Sequence, residues 1–272
     1  MLATAPNPVF VMSAEGFKLA TYLFAPRIER HNASTVLLVH GFASGAEANW
    51  VATGWVRDLT KAGHQVLAID QRGHGASDKP HAASDYSMEA LVADVLAVLD
   101  TYLLDEVSFI GYSLGARVGW HASVDLPNRI TRSVLGGIPD GDPLTRFRID
   151  EARAHIDSGA PVADKLTRAY LSMAEKIAGN DLSALVALVE GMRGGMQPDP
   201  ANAPQIPMLF ATGSEDSILE KSRALAAATP RAQFFEIPER NHFNAPTSRD
   251  FRDAAVTFLG VDEGPAKVTR HG

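Results

Sequence analysis

Short segments that are apolar at every position recur along the chain. Residues 36–39 and 66–69 are two such runs, rich in β-branched side chains. A run of this kind is typical of a strand covered on both faces of a parallel sheet. The same pattern predicts further strands at 107–110, 133–135 and 208–211, and we interpret 233–237 as the last strand.

Longer segments with helical periodicity separate these runs. Between 87 and 102, apolar side chains such as Leu91, Val95 and Val98 recur every three or four residues, which predicts an amphipathic helix. At 9–24, apolar and polar residues alternate on both sides of a turn at Gly16, which predicts a β-hairpin. The pattern indicates a doubly wound α/β sheet whose ligand site lies at the carboxyl ends of the strands.

The alternation stops between 139 and 207. Periodicity there predicts helices at 144–157, 162–177 and 181–192 and no strand. We interpret the segment as a helical insertion, so that 1–138 and 207–272 form one core and 139–206 the insertion. Its apolar residues are numerous enough to roof a pocket, although such residues more often pack onto the sheet; they are Leu144, Phe147, Ile149, Leu166, Tyr170, Leu171, Met173, Leu185, Leu188 and Met192.

Composition excludes several classes of protein. With 46% hydrophobic and 21% charged residues, the 272-residue chain can bury a sizeable core. A net charge of -7 argues against a nucleic-acid partner. Residues 1–8 lack the features of a signal peptide, and no stretch of about 18 apolar residues occurs, so we expect a cytoplasmic protein without a membrane span. The absence of cysteine and of a His-x-x-His spacing predicts no metal site.

A Gly-x-Ser-x-Gly motif spans 111–115, directly after the 107–110 strand and before an apolar helical run. In this context the small residues allow a strained strand-to-helix turn that exposes the serine hydroxyl. Ser113 is therefore the candidate nucleophile. The alternative interpretation is a simple turn, which the position between a buried strand and a helix disfavours.

A serine hydroxyl needs a general base, and His242 is the candidate among nine histidines. It follows the 233–237 strand, which places it at the carboxyl edge of the sheet. A carboxylate must then orient the imidazole. Asp216, just after the 208–211 strand, completes the chain order Ser, Asp, His, while Glu215 and Asp140 remain alternatives because both also follow strands.

Three further predictions concern the surroundings of Ser113. The backbone N–H groups of Phe42 and Leu114 are candidate oxyanion donors, because Gly41 allows close approach after the third strand. Tyr112, Phe42 and Trp50 are candidate pocket walls. The polar, glycine-rich turn at 70–78 is interpreted as structural, since a bent backbone needs polar side chains to satisfy it.

In combination, these motifs resemble those of the α/β-hydrolase superfamily. They are His40-Gly41, the 70–78 turn, the 111–115 motif, Gly213-x-x-Asp216 and Asn241-His242-Phe243, all in the family's order. The resemblance implies a mostly parallel eight-stranded sheet, a helical cap inserted after the sixth strand, and no cofactor. It also implies an acyl-enzyme, because epoxide hydrolases and haloalkane dehalogenases of the superfamily carry Asp where this chain has Ser113.

The triad alone does not identify the substrate. The leading hypothesis is a carboxylesterase acting on small to medium apolar acyl groups. The alternatives are a carbon–carbon bond hydrolase of a ring-cleavage pathway, a lactonase or a thioesterase. A receptor that keeps the fold without turnover belongs to a different class, and the complete set of candidate catalytic groups disfavours it.

Overall fold

The computed structural model describes residues 5–28, 35–138, 141 and 144–260. Eight strands form one sheet with the order β1-β2-β4-β3-β5-β6-β7-β8. The strands are β1 (Val9–Met12), β2 (Lys18–Phe24), β3 (Thr35–Val39), β4 (Gln65–Ile69), β5 (Val107–Tyr112), β6 (Ile130–Gly136), β7 (Met208–Gly213) and β8 (Ala232–Ile237).

Only β1 and β2 run antiparallel to their neighbours, and all pairs from β4 to β8 are parallel. β5 is buried at every position, as its continuous apolar run requires. In the register, neighbouring strands among β3, β5, β6, β7 and β8 end within two positions of each other, so the loops that follow these strands meet at one edge of the sheet.

Helices cover both faces of the sheet. One face packs against α2, α3 and α7, and the other against α1 and α8. The bounds of the helices are α1 (Trp55–Lys61), α2 (Met88–Thr101), α3 (Leu114–Asp125), α4 (Ile149–Ser158), α5 (Lys165–Ala174), α6 (Leu182–Met192), α7 (Leu219–Ala227) and α8 (Arg249–Gly260). The predicted hairpin and the predicted mostly parallel, helix-flanked sheet are confirmed. In the part of the chain that is described, no helix is both long and apolar enough to cross a membrane.

Helices α4, α5 and α6 lie between β6 and β7, where the sequence predicted helices and no strand. α4 packs against both α5 and α6, and α6 also packs against the 3₁₀ turn Ala83–Asp85 that precedes α2. Asp164 and Asp181 cap α5 and α6 by accepting backbone N–H groups of the first turn. Of the predicted helical insertion at 139–206, the structure describes residues 141 and 144–206.

The turn at 70–78 uses its polar side chains internally. Asp70 accepts hydrogen bonds from the Ala46 N–H at 2.7 Å and from the Tyr22 hydroxyl at 2.9 Å. The buried Arg72 guanidinium pairs with Asp94 at 2.6 Å and with Glu15 at 2.5 Å. These contacts match the structural interpretation of the turn.

Candidate active site

Ser113 stands in a strained turn between β5 and α3. Its backbone has φ 53° and ψ -110°, a conformation that L-residues rarely adopt. A Cβ on Gly111 would lie 2.2 Å from the Gly115 carbonyl oxygen, and one on Gly115 would lie 2.0 Å from the Val39 carbonyl oxygen. Glycine is therefore required at both ends of the motif, and the turn lifts the Ser113 side chain to the carboxyl edge of the sheet.

The structure brings Ser113, His242 and Asp216 together. His242 Nε2 lies 2.9 Å from Ser113 Oγ, and His242 Nδ1 lies 2.7 Å from Asp216 Oδ2. Because the ionised carboxylate can only accept, Nδ1 carries the proton and Nε2 is free to accept the serine proton. The Asp216 side chain is buried, whereas the imidazole of His242 keeps 20% exposure.

The two alternative acids take other positions. Glu215 is exposed, and its backbone N–H donates to the Arg240 carbonyl oxygen at 2.9 Å. Asp140 lies outside the described residues. Asp216 is thus the carboxylate that the structure places against the imidazole.

Hydrogen bonds on two sides hold the loop that carries His242. The buried Tyr112 donates its hydroxyl hydrogen bond to the His242 carbonyl oxygen at 2.6 Å. On the other side, Asn241 Oδ1 accepts the N–H groups of Phe243 at 3.0 Å and Asn244 at 3.2 Å. Tyr112 also lines the site, as predicted. Its hydrogen bond to His242 is a second role that the sequence did not reveal.

The predicted oxyanion donors flank the serine. No hydrogen-bond acceptor for the N–H of Phe42 or Leu114 is present among the described residues. A Cβ on Gly41 would lie 3.3 Å from Ser113 Cβ, so the backbone before Phe42 passes directly beside the serine. Leu114 is the first residue of α3, whose N-terminal N–H groups lack intrahelical acceptors. Within the described residues, neither N–H group is thus committed to a hydrogen bond.

Two cavities meet at Ser113 and His242. The smaller, of about 170 Å³, is lined by apolar groups that include Phe42, Met173 and Ile177. The larger, of about 430 Å³, has charged groups on its wall, among them Arg146, Glu215 and Lys221. Tyr170 and Phe243 border both cavities and pack against each other with ring centroids 5.3 Å apart.

The predicted pocket residues divide into two groups. Tyr112 and Phe42 line the smaller cavity, as expected. Trp50 does not line either cavity, and its prediction as a wall is corrected: the π-helical turn Glu47–Val51 directs the indole into the core, where it packs edge-on against Trp55. Of the ten apolar insertion residues named from the sequence, five border one of these two cavities and the other five do not; the five are Leu144, Phe147, Leu166, Tyr170 and Met173.

Burial controls the protonation of the groups around the serine. Burial lowers the pKa of His40 and of His74 below the ordinary histidine value, so both imidazoles are neutral. Burial, with the Asp216 carboxylate adding to it, raises the pKa of Tyr170 to about 12. The same causes raise the pKa of Tyr112, which therefore stays a hydrogen-bond donor to His242.

Over the residues that the structure describes, no group of three His, Asp or Glu side chains is placed to hold a metal ion. What the site presents is a serine hydroxyl that lines both cavities, an imidazole nitrogen 2.9 Å from it, and two neighbouring backbone N–H groups. This set of groups is suited to nucleophilic attack by an alcohol oxygen on a carbonyl carbon.

The chain is similar in sequence to known proteins over part of its length. Residues 34–161 match the sequence model of a family described as having the alpha/beta hydrolase fold. Epoxide hydrolase B of Mycobacterium tuberculosis is 36% identical over 107 residues, which cover 38% of this chain and 28% of that protein. The chain spans between 28% and 37% of the length of the curated relatives YfhM, epoxide hydrolase B and epoxide hydrolase A.

Solved structures resemble nearly the whole chain. The enol-lactonase from Burkholderia xenovorans superposes with a TM-score of 0.72 at 22% identity, covering 92% of this chain and 99% of that one. An esterase from Exiguobacterium antarcticum gives a TM-score of 0.74 at 14% identity, covering 93% and 100%. At these identities the likeness concerns the fold.

Proposed function

Since the chain belongs to the α/β-hydrolase superfamily, we propose that it is a serine hydrolase which cleaves carboxylic esters of small to medium apolar acyl groups. The observation that carries this proposal is the continuous hydrogen-bonded series from Asp216 through His242 to Ser113. The series ends at a hydroxyl that faces two cavities.

Acylation begins when Ser113 Oγ attacks the ester carbonyl carbon and its proton passes to His242 Nε2. The carbonyl oxygen becomes an oxyanion, held by the N–H groups of Phe42 and Leu114. The C–O bond to the alcohol then breaks, and the proton on Nε2 moves to the departing alkoxide. Asp216 stabilises the imidazolium while that proton is held.

Deacylation repeats the sequence with water as the nucleophile. His242 Nε2 takes a proton from the water as its oxygen bonds to the acyl carbon. The second oxyanion collapses, the bond to Ser113 Oγ breaks, and the serine recovers its proton from Nε2. The products are the free acid and the alcohol, and no cofactor takes part.

The nucleophile type separates this proposal from epoxide hydrolysis, which the names of several relatives specify. A carboxylate that opens an epoxide forms an ester, which water can hydrolyse. Ser113 would form an ether, from which His242 and water have no comparable route to release. A serine at the centre of the motif therefore favours acyl chemistry.

We also propose that the helical insertion acts as a cap and that the two cavities divide the substrate. Tyr170 and Met173 of α5, together with Ile177 just after that helix, bring an apolar wall to the smaller cavity, which suits a short acyl chain. The larger cavity, with charged groups on its wall, would take the alcohol part and the attacking water.

The test is covalent labelling combined with turnover. A fluorophosphonate probe should label the wild type and not Ser113→Ala, and hydrolysis of p-nitrophenyl butyrate should fall by about 10⁶-fold in that variant. Ser217→Ala is the matched control for labelling: Ser217 lines the same cavity without a hydrogen bond to His242, so this variant should be labelled like the wild type. Equal labelling of wild type and Ser113→Ala would refute the proposal, and rapid cleavage of a vinylogous diketone beside slow ester turnover would replace it by carbon–carbon bond hydrolysis.

A further inference from the structure

The segment from His40 to Ser44, here called the oxyanion loop, contains a residue in an unfavourable conformation. Ala43 has φ 60° and is buried. The left-handed region is disfavoured for an L-residue with a Cβ, so the loop needs contacts from outside to keep this shape. Phe42, the proposed oxyanion donor, immediately precedes Ala43.

Two side chains hold the peptide groups of Ala43. His74 Nε2 accepts the Ala43 N–H at 3.0 Å. Asn180 Nδ2 donates to the Ala43 carbonyl oxygen at 3.3 Å. His74 belongs to the core turn, whereas Asn180 lies in the helical insertion between α5 and α6.

Asn180 makes a second contact with the core through its other amide atom. Its Oδ1 accepts the Gly75 N–H at 2.8 Å. A Cβ on the neighbouring Gly179 would lie 2.4 Å from the Gly75 carbonyl oxygen, so the insertion backbone sits directly against the 70–78 turn. One amide side chain therefore joins the insertion, the turn and the oxyanion loop.

The insertion also reaches the side chain of Phe42. The Phe42 ring packs against Tyr170, with centroids 5.2 Å apart, and against Phe147, with centroids 5.8 Å apart. Residues on both sides of the Phe42–Ala43 peptide bond are thus held by the insertion. The direction of the Phe42 N–H therefore depends on the position and conformation of the oxyanion loop.

We infer that Asn180 is a positioning residue for the oxyanion site. Through it, the position of the helical insertion against the core determines the direction of the Phe42 N–H. The inference rests on the proposed serine-hydrolase function. Asn180 touches neither substrate nor nucleophile and acts through Ala43. Its contribution is expected at the stage where negative charge develops on the carbonyl oxygen.

Two variants separate its two hydrogen bonds. Asn180→Ala removes both, whereas Asn180→Asp keeps an acceptor for the Gly75 N–H and places a carboxylate oxygen against the Ala43 carbonyl. Loss of an oxyanion donor costs about 10²- to 10³-fold in kcat, and a displaced donor less, so we expect kcat/KM for p-nitrophenyl butyrate to fall by about 10- to 100-fold in both variants. If Asn180→Ala does not fold, Asn180→Asp alone still tests the inference.

A pair of ketone inhibitors provides a readout that a merely structural role would not change. A trifluoromethyl ketone with a propyl chain forms a tetrahedral adduct whose oxyanion needs the Phe42 N–H, while the matching methyl ketone binds without it. We expect the inhibition constant of the trifluoromethyl ketone to rise in parallel with the loss of kcat/KM. The constant of the methyl ketone should remain within about twofold, since its binding does not use the oxyanion donors.

His81→Ala is the matched control. His81 Nε2 contacts Asp181 Oδ2 at 2.9 Å and so ties the residue next to Asn180 to the core, without touching the oxyanion loop. This variant should retain wild-type kcat/KM. Wild-type values for both Asn180 variants, or an equal rise in both inhibition constants, would overturn the inference while the proposed function stands; no turnover and no labelling in the wild type would overturn both.

Discussion

The Tyr112 hydroxyl donates a hydrogen bond of 2.6 Å to the backbone carbonyl oxygen of His242, across 130 positions of sequence. Tyr112 immediately precedes Ser113, so the same strand end that presents the serine also holds the histidine loop. The proposed nucleophile and its proposed base are therefore held by the same strand end. The ring centroids of Tyr112 and His242 lie 5.5 Å apart.

Replacing Tyr112 by Phe tests this support. The change removes the donor and leaves the His242 carbonyl without its partner, which should lower the free energy of unfolding by about 1–3 kcal/mol. We also expect kcat to fall by about tenfold, because the imidazole loses its fixed distance to Ser113. Urea unfolding and ester hydrolysis provide the two measurements. Tyr102→Phe is the control. It removes a hydroxyl that is hydrogen-bonded to Thr21 at 2.7 Å, far from Ser113, and it should leave kcat unchanged.

Asp216→Asn should preserve the fold and lower kcat by up to about 10⁴-fold, since an amide in place of the carboxylate no longer fixes the tautomer of His242. The comparison is Glu215→Gln, which alters the adjacent exposed side chain and should stay near wild type. Hydrolysis rates and circular dichroism of both variants decide the matter. A severe loss in Asp140→Asn beside an active Asp216→Asn would assign the role of the acid to Asp140.

The smaller cavity should set the preferred acyl length. Met173→Ala enlarges it, so the optimum in a series of p-nitrophenyl esters should move to longer chains. Each additional buried CH₂ is worth about 0.8 kcal/mol, or roughly fourfold in kcat/KM. Leu166→Ala enlarges the larger cavity instead and should not move the optimum. If only Leu166→Ala moves it, the acyl chain occupies the larger cavity.

Stability should fall as the solution is acidified below pH 6.5. Burial, and secondarily Arg117, lowers the pKa of His121 to about 4, and burial lowers the pKa of His40 and His74 as well. The unfolded chain then binds more protons than the native one between pH 4 and the ordinary histidine value near 6.5. The stability that the neutral buried histidines allow is fully present above that value, and it is lost as the pH falls toward 4.

His121→Leu isolates one of these contributions. His121 Nε2 is buried without a hydrogen-bond partner among the described residues, so the substitution removes a group that acid must charge. The acid-induced loss of unfolding free energy should become smaller by up to about 3 kcal/mol. Urea unfolding between pH 4.5 and 7.5 measures it. An unchanged slope in His121→Leu would contradict the assignment.

The strands and the motif around Ser113 were predictable because their signals are local. A run of apolar residues such as Val36 to Val39 specifies a buried strand without reference to the rest of the chain. The convergence of Ser113, Asp216 and His242 was predictable because each follows a strand, and parallel strands end at a common edge.

The remaining features depend on contacts that leave no local signal. Asn180 reads as an ordinary loop residue, and only the folded chain places it beside Ala43, 137 positions away. Trp50 was misplaced for a related reason. Its nearness to Gly41 in sequence suggested a pocket wall, whereas the direction of its side chain is decided by a π-helical turn that periodicity does not reveal.

The left-handed backbone of Ser113 places folding and reactivity in conflict at one position. Glycine would adopt φ 53° without the steric penalty of roughly 1–2 kcal/mol that any residue with a Cβ incurs. Ser113→Gly should therefore melt at a higher temperature than Ser113→Ala, although neither has a nucleophile. Selection for heat resistance alone would replace this serine, so thermostabilised variants of the protein must be screened for turnover at every round.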